Sequence, residues 1–154
     1  DGPKYVRLGR TEVPTIYDNS YEFKLGGSHT FGTGKAGTIF ATGNTLNIAL
    51  EAKEVLENLG KDVRVVDLYS IKPIDKEAIL KCAKETDILL TIEDHSIIGG
   101  IGSIVSDVLC TEYPKKLYKI GVKDKFGKSG SAKELYELYG LTEENIIDKF
   151  ISFK

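Results

Sequence analysis

The stretch Thr91-Ile92-Glu93-Asp94-His95, with Gly99-Gly100-Ile101-Gly102-Ser103 close behind it, decides how this chain folds. An apolar run over residues 88–92 stops abruptly at two carboxylates and an imidazole. A glycine cluster then opens an apolar pattern at Ile104, Val105, Val108 and Leu109 with helical spacing. The order is strand, polar loop, glycine turn, helix. In an open α/β sheet such a loop lies at the carboxyl end of a strand, where ligands and partner domains meet the fold. Two readings stand side by side for the glycines. They pack a helix closely on its strand, or Gly100, Gly102 and Ser103 present helix amides to an anion. The cluster lacks full G-x-G-x-x-G spacing, and no Lys-Ser/Thr pair follows as a phosphate loop requires.

The same grammar extends outward in both directions. Residues 38–41 predict a buried strand closed by Thr42-Gly43-Asn44. Asn44 or Thr45 can cap a helix with an apolar face of Leu46, Ala49, Leu50, Val55, Leu56 and Leu59, stopped by Gly60. Residues 63–68 are the next strand, and Pro73 and Asp75 open a helix through Ala78, Ile79, Cys82 and Ala83. Residues 117–122 are a further strand, and two short helices over 131–139 and 142–150 close the chain. Near-continuous apolar strands alternating with amphipathic helices predict a mainly parallel sheet covered on both faces. Upstream, residues 5–8 predict a short strand, residues 11–19 a linker around Pro14, and residues 21–35 short extended pieces.

At 154 residues the chain can bury roughly two thirds of the surface its unfolded form exposes. A formal charge of −2 gives no reason to expect nucleic acid or an anionic membrane as partner. Two cysteines do not make a disulfide scaffold, so a cytoplasmic home is the default; Cys82 and Cys110 both read as buried thiols on helix faces. The chain starts at Asp1 and has no methionine, which is expected of a piece of a longer protein.

Glu93, Asp94 and His95 suit an acid–base cluster, or a polar loop whose side chains bond backbone amides. Only His29 accompanies His95, and neither cysteine sits near a second ligand at useful spacing, which argues against a structural zinc site. A serine nucleophile lacks its G-x-S-x-G context. Lys115, Lys116, Lys119, Lys123, Lys125 and Lys128 form a basic run that reads as a solvated face rather than a nucleic-acid surface. The guanidinium groups of Arg7 and Arg10 read as surface charge, though the planar fork also suits a phosphate ester.

Taken together, Gly2-Pro3-Lys4-Tyr5-Val6-Arg7-Leu8-Gly9-Arg10, Ala41-Thr42-Gly43, Asp67-Leu68-Tyr69-Ser70-Ile71-Lys72-Pro73-Ile74-Asp75 and the opening stretch resemble the carboxyl-terminal part of transketolase, a thiamine-diphosphate enzyme. The segments 121–130 and 137–142 complete the resemblance, which covers nearly the whole chain. Deoxyxylulose-phosphate synthases and the β subunits of 2-oxoacid dehydrogenases are similar alternatives. The former usually carry a histidine before the glycine where this chain has Phe126-Gly127. A regulatory domain binding an anion or nucleotide is an alternative of another class.

The resemblance implies a three-layer α/β/α fold with a mixed, mainly parallel five-stranded sheet whose first strand, near residues 28–31, runs antiparallel. It implies that residues 1–12 are the last strand of a preceding pyrimidine-binding domain, 13–22 a linker and 23–154 the carboxyl-terminal domain. The family's thiamine diphosphate and magnesium are held by other domains, as is its catalytic glutamate. This piece is therefore expected to bind no cofactor and to be inactive alone. Its expected role is to complete a homodimer and support the substrate channel of an enzyme acting on sugar phosphates. Arg10 matches a family arginine that holds the substrate phosphate, and Glu93, Asp94 and His95 are interface or channel candidates. The segment 32–37 departs from the family pattern, which leaves the path of residues 23–37 open.

Overall fold

Every residue of the strands Gly37–Ala41 and Val63–Asp67 is buried, as parallel strands with helices on both faces must be. The computed structural model describes residues 2–9 and 12–152. Its elements run β1 (His29–Phe31), β2 (Gly37–Ala41), α1 (Thr45–Asn58), β3 (Val63–Asp67), α2 (Lys76–Glu85), β4 (Ile88–Ser96), α3 (Ile101–Glu112), β5 (Leu117–Val122), α4 (Ala132–Tyr139) and α5 (Glu143–Ile151). The sheet order is β1-β3-β2-β4-β5; β1 pairs antiparallel with β3 and all other pairs are parallel. The mixed five-stranded sheet and its antiparallel first strand agree with the sequence reading.

Side chains alternate across this sheet and divide the core in two. Ile39, Val65, Leu90 and Ile92 face α1 and α5, where Leu56, Ile146 and Phe150 close the layer. Phe40, Val66 and Leu89 face α2 and α3, meeting Ile79, Cys82, Val105 and Leu109. The expected apolar face of α1 is corrected at two positions. Its buried stripe is Thr45, Leu46, Ala49, Ala52 and Leu56, while Val55 and Leu59 are turned out at 37% and 57% exposure. Cys110 is also exposed, because it falls one residue beyond the Val105–Leu109 stripe and one residue turns a helix by ~100°.

Helix ends follow local chemistry. Asp75 accepts from the Ala78 amide at 2.9 Å, and Ser131 and Glu134 form a reciprocal capping box. The side chains of Asn44 and Thr45 do not cap α1 as expected. Instead the Thr45 hydroxyl donates to the carbonyls of Thr42 (2.9 Å) and Ile92 (3.0 Å), tying the exit of β2 to β4. The segment after β1 is fixed by Arg64, whose guanidinium donates to the carbonyls of Gly34 (2.8 Å) and Thr33 (3.0 Å) and to Glu85 (2.7 Å). Residues 2–9 form no strand, and Tyr5, Val6 and Leu8 are exposed. Among the described residues no helix is long and apolar enough to cross a membrane.

Phe150 seals the α1/α5 layer against β2: a Cβ on Gly37 would lie 2.3 Å from its ring. Phe150→Ala is expected to cost about 3–5 kcal/mol, read as a lower urea midpoint at unchanged slope. A loss below ~1 kcal/mol would show that α5 does not complete the core.

Candidate functional site

β2 leads through α1 to β3 on one side of the sheet, and α2 then carries the chain back across β2 to β4. The strand order therefore reverses between β2 and β4, and crevices at such switch points are where open α/β sheets bind ligands. A cleft of ~680 Å³ opens at this position, lined by Thr42–Asn44 after β2, Glu93–His95 of β4, Gly99–Ile101, Ile71, Ile104 and the incoming residues Arg7–Gly9. Arg10 lies outside the described residues.

The predicted polar loop is part of the strand. β4 continues to Ser96, with its register broken between Ile92 and Ser96, so that Glu93, Asp94 and His95 bulge opposite Gly121 alone. The three residues then part company. Glu93 is 1% exposed, and its carboxylate accepts from the amides of Ile101 (2.8 Å) and Gly102 (3.0 Å) at the start of α3. Asp94 points outward and accepts from the Tyr136 hydroxyl of α4 at 3.0 Å. Burial, with the Asp94 carboxylate beside it, raises the Tyr136 phenol above its ordinary range. His95 is exposed, with Nδ1 2.9 Å from the Ser96 carbonyl oxygen.

The glycines leave room for Glu93. A Cβ on Gly100 would lie 1.7 Å from Glu93 Oε2, one on Gly102 2.9 Å from Oε1, and one on Gly121 3.2 Å from Glu93 Cγ. Ser103 closes the turn by accepting from the Gly99 amide at 2.9 Å. The helix amide of Gly102 offered to an anion in the sequence reading thus carries the protein's own carboxylate, and the Ser103 hydroxyl is engaged within the turn. Of the two readings left open for the glycines, the geometry is that of close packing.

A second polar group escaped the sequence reading. Asp67, at the carboxyl end of β3, is 4% exposed and accepts from the Tyr17 hydroxyl at 2.6 Å. Tyr17 stacks with Tyr21, Phe23, His29 and Phe31 at centroid distances of 4.5–5.9 Å. Burial raises the Asp67 carboxyl above the usual range, against the Tyr17 hydrogen bond and the nearby His29. Burial and the Asp67 partner push the Tyr17 phenol far up, and burial with Tyr69 pushes Tyr21 to about 12. The signal in the sequence was the aromatic density of residues 17–31 and an aspartate ending an apolar strand.

A mostly parallel sheet between helix layers, with its strand-end crevice at a reversal of order, defines an α/β domain of the doubly wound kind. Residues 30–146 match the family described as "Transketolase, C-terminal domain", and the chain belongs to that family. It is 42% identical over 153 residues to the "Putative transketolase C-terminal section" of Methanocaldococcus jannaschii, covering 97% of this chain and 48% of that protein. It is 41% identical over 152 residues to one of the subunits of an apulose-4-phosphate transketolase from Phocaeicola vulgatus, covering 98% and 48%. The solved structure described as "Split gene transketolase, inactive beta4 tetramer" superposes with a TM-score of 0.88 at 41% identity, over 92% of this chain and 46% of that one. The chain spans about half the length of these relatives.

Two outcomes test the site. Glu93→Gln keeps the shape but sets an amide against a helix amide; it is expected to cost about 1.5–3 kcal/mol, the worth of hydrogen bonds to a charged group. Gly100→Ala displaces the same carboxylate, so in urea unfolding the double variant should cost clearly less than the two singles together. Additivity within ~0.5 kcal/mol would mean that the two residues do not act on one contact.

The raised Asp67 carboxyl makes stability depend on pH. The folded state holds this proton more firmly than the unfolded state, so the contribution is full below the ordinary aspartate pKa and is lost as pH rises through the raised value. Asp67→Asn should remove that decline, and the stability difference between variant and parent should grow in the variant's favour from about pH 4 to pH 7. A difference independent of pH would show that Asp67 does not titrate differently on folding.

Proposed function

We propose that this chain is the carboxyl-terminal domain of a thiamine-diphosphate transketolase, in which it serves assembly and channel support while the rest of the protein carries the chemistry. The observation that carries this reading is the use of the strand-end crevice. At the place where this architecture would hold a ligand, the buried carboxylate of Glu93 and the amides of α3 satisfy each other. What remains outward there is the exposed pair Asp94 and His95, together with the approach of residues 7–9. Those are groups suited to meeting another protein surface.

The described residues do not fit thiamine diphosphate and its magnesium. The α3 amides are occupied by Glu93, and among the described residues no three His, Cys, Asp or Glu side chains group as a metal site. In this reading the cofactor is held by the amino-terminal and pyrimidine-binding domains or by a separate polypeptide, where it supplies the carbanion chemistry of ketol transfer between sugar phosphates. Residues 1–12 belong to the preceding domain as its last strand, and 13–22 link it to the domain of 23–154. The exposed apolar side chains of Tyr5, Val6 and Leu8 support that boundary, since they suit a strand whose sheet is supplied elsewhere. The assembly is a homodimer of the whole enzyme in the cytoplasm.

Mixing the chain with the amino-terminal half of the enzyme should produce ketol transfer from a ketose phosphate to an aldose phosphate, with neither part active alone. Activity of the chain alone would overturn the reading. In the assembled enzyme, Arg10→Ala is expected to lower kcat/KM for phosphorylated acceptors tenfold or more, the equivalent of one charge-assisted bond of roughly 1.5–3 kcal/mol. An equal loss for unphosphorylated acceptors would remove Arg10 from phosphate binding.

A further inference from the structure

The basic run of the sequence is sorted by the fold into two sets. Lys115 reaches back to α2, its ammonium donating to the carbonyls of Ala83 (2.8 Å) and Thr86. Lys116 lies over the Tyr118 ring at 4.7 Å from its centroid. Lys119 of β5 packs its stem on α3, its Cδ 3.0 Å from where a Cβ on Gly102 would lie, and the other three turn to a different place. Lys123, Lys125 and Lys128 of the loop after β5 line a cleft of ~410 Å³, which Lys149 of α5 also lines.

One carboxylate, Glu137, lines the same cleft. Among the described residues the ion pairs are Lys53–Glu57 and Arg64–Glu85, so none of the four cleft lysines is neutralised by a partner. The wall is built rather than loose. The Tyr139 hydroxyl accepts from the Lys128 amide at 3.0 Å and donates to the Phe126 carbonyl at 3.4 Å, pinning the loop to α4. This cleft shares no lining residue with the crevice between β2 and β4.

We propose that this cleft binds a small oligophosphate, and the inference is independent of the assignment above. Four lysines and one carboxylate lining one hollow concentrate positive potential in a concave space. Lysines act there as point charges toward phosphate oxygens. Against four lysines and one carboxylate a single phosphate dianion leaves net positive charge uncompensated, whereas a chain of two or three phosphates carries enough charge to match it. The volume is that of a small-molecule pocket. The lysines converge on one hollow instead of tracking along a surface, which disfavours nucleic acid. Phe126, 99% exposed beside the cleft, can add a stacking face for a base.

Isothermal titration of the 154-residue chain with tripolyphosphate and, separately, with ATP distinguishes the sources of the phosphate chain. Saturable 1:1 binding of tripolyphosphate is expected, weakened at least tenfold by Lys125→Ala with Lys128→Ala and left within twofold by the control Lys76→Ala with Lys84→Ala. Circular dichroism confirms that both double variants fold. ATP binding more tightly than tripolyphosphate, with the advantage lost in Phe126→Ala, would assign the phosphate to a nucleotide. The proposal fails if tripolyphosphate does not bind, if the two double variants weaken it equally, or if ATP binds where tripolyphosphate does not. Tighter binding of a single-stranded oligonucleotide carrying several chains would overturn it in favour of a nucleic-acid surface.

Discussion

A buried carboxylate facing the start of a helix is stable only if the helix supplies the hydrogen bonds that water has lost. Glu93 meets that condition with two amides of α3. Removing such a charge from water costs several kcal/mol, which charge-assisted bonds of roughly 1.5–3 kcal/mol each and the helix dipole offset. The net gain in stability is therefore modest, and the larger consequence is geometric. To reach α3, the Glu93 side chain needs a strand that bulges, and the bulge needs Gly121 opposite it, where a Cβ would lie 2.9 Å from the His95 carbonyl oxygen. To admit the carboxylate, α3 needs glycine at 100 and at 102. Positions on three elements are thus set by one side chain, which also fixes how α3 leaves β4.

That dependence explains which parts of the fold were visible in the residues and which were not. Strand and helix order could be read because each apolar run has one period and local punctuation, such as Asp75, Gly60 and Ser131. The left-handed φ of 76° at Gly60 is the kind of signal a single residue announces. The inward face of α1 was harder, because Val55 and Leu59 are apolar yet exposed while the smaller Ala49 and Ala52 are fully buried. Size misleads where the sheet approaches closely enough to want alanine. The Cys110 error has the same origin: a stripe of buried residues was extended by one position too many.

The site was harder still, since adjacency in sequence is not adjacency in space. Glu93, Asp94 and His95 are consecutive and were read as one cluster. In a strand successive side chains point apart, and here the bulge sends one into the helix, one to α4 and one to solvent. The Asp67–Tyr17 bond joins residues fifty apart, and no spacing rule connects them. The same limit applies to the lysines. Their clustering in the chain was plain, but only the fold brings Lys149 to the cleft of Lys123, Lys125 and Lys128 while Lys115, Lys116 and Lys119 are used elsewhere.

The domain's two polar concentrations obey opposite rules. At the switch point the sequence provides a carboxylate for the positive end of a helix, and local neutralisation leaves little field for a mobile ligand. In the loop after β5 and on α5 it provides four lysines against the single carboxylate of Glu137, and neighbouring like charges repel. A protein with net charge −2 has acidic residues enough to neutralise them, yet a single carboxylate lines that hollow. Uncompensated repulsion in a pinned loop costs stability in the free chain, and an anion that settles among the lysines returns it. The switch point has satisfied its own electrostatics, and the lysine cleft has not.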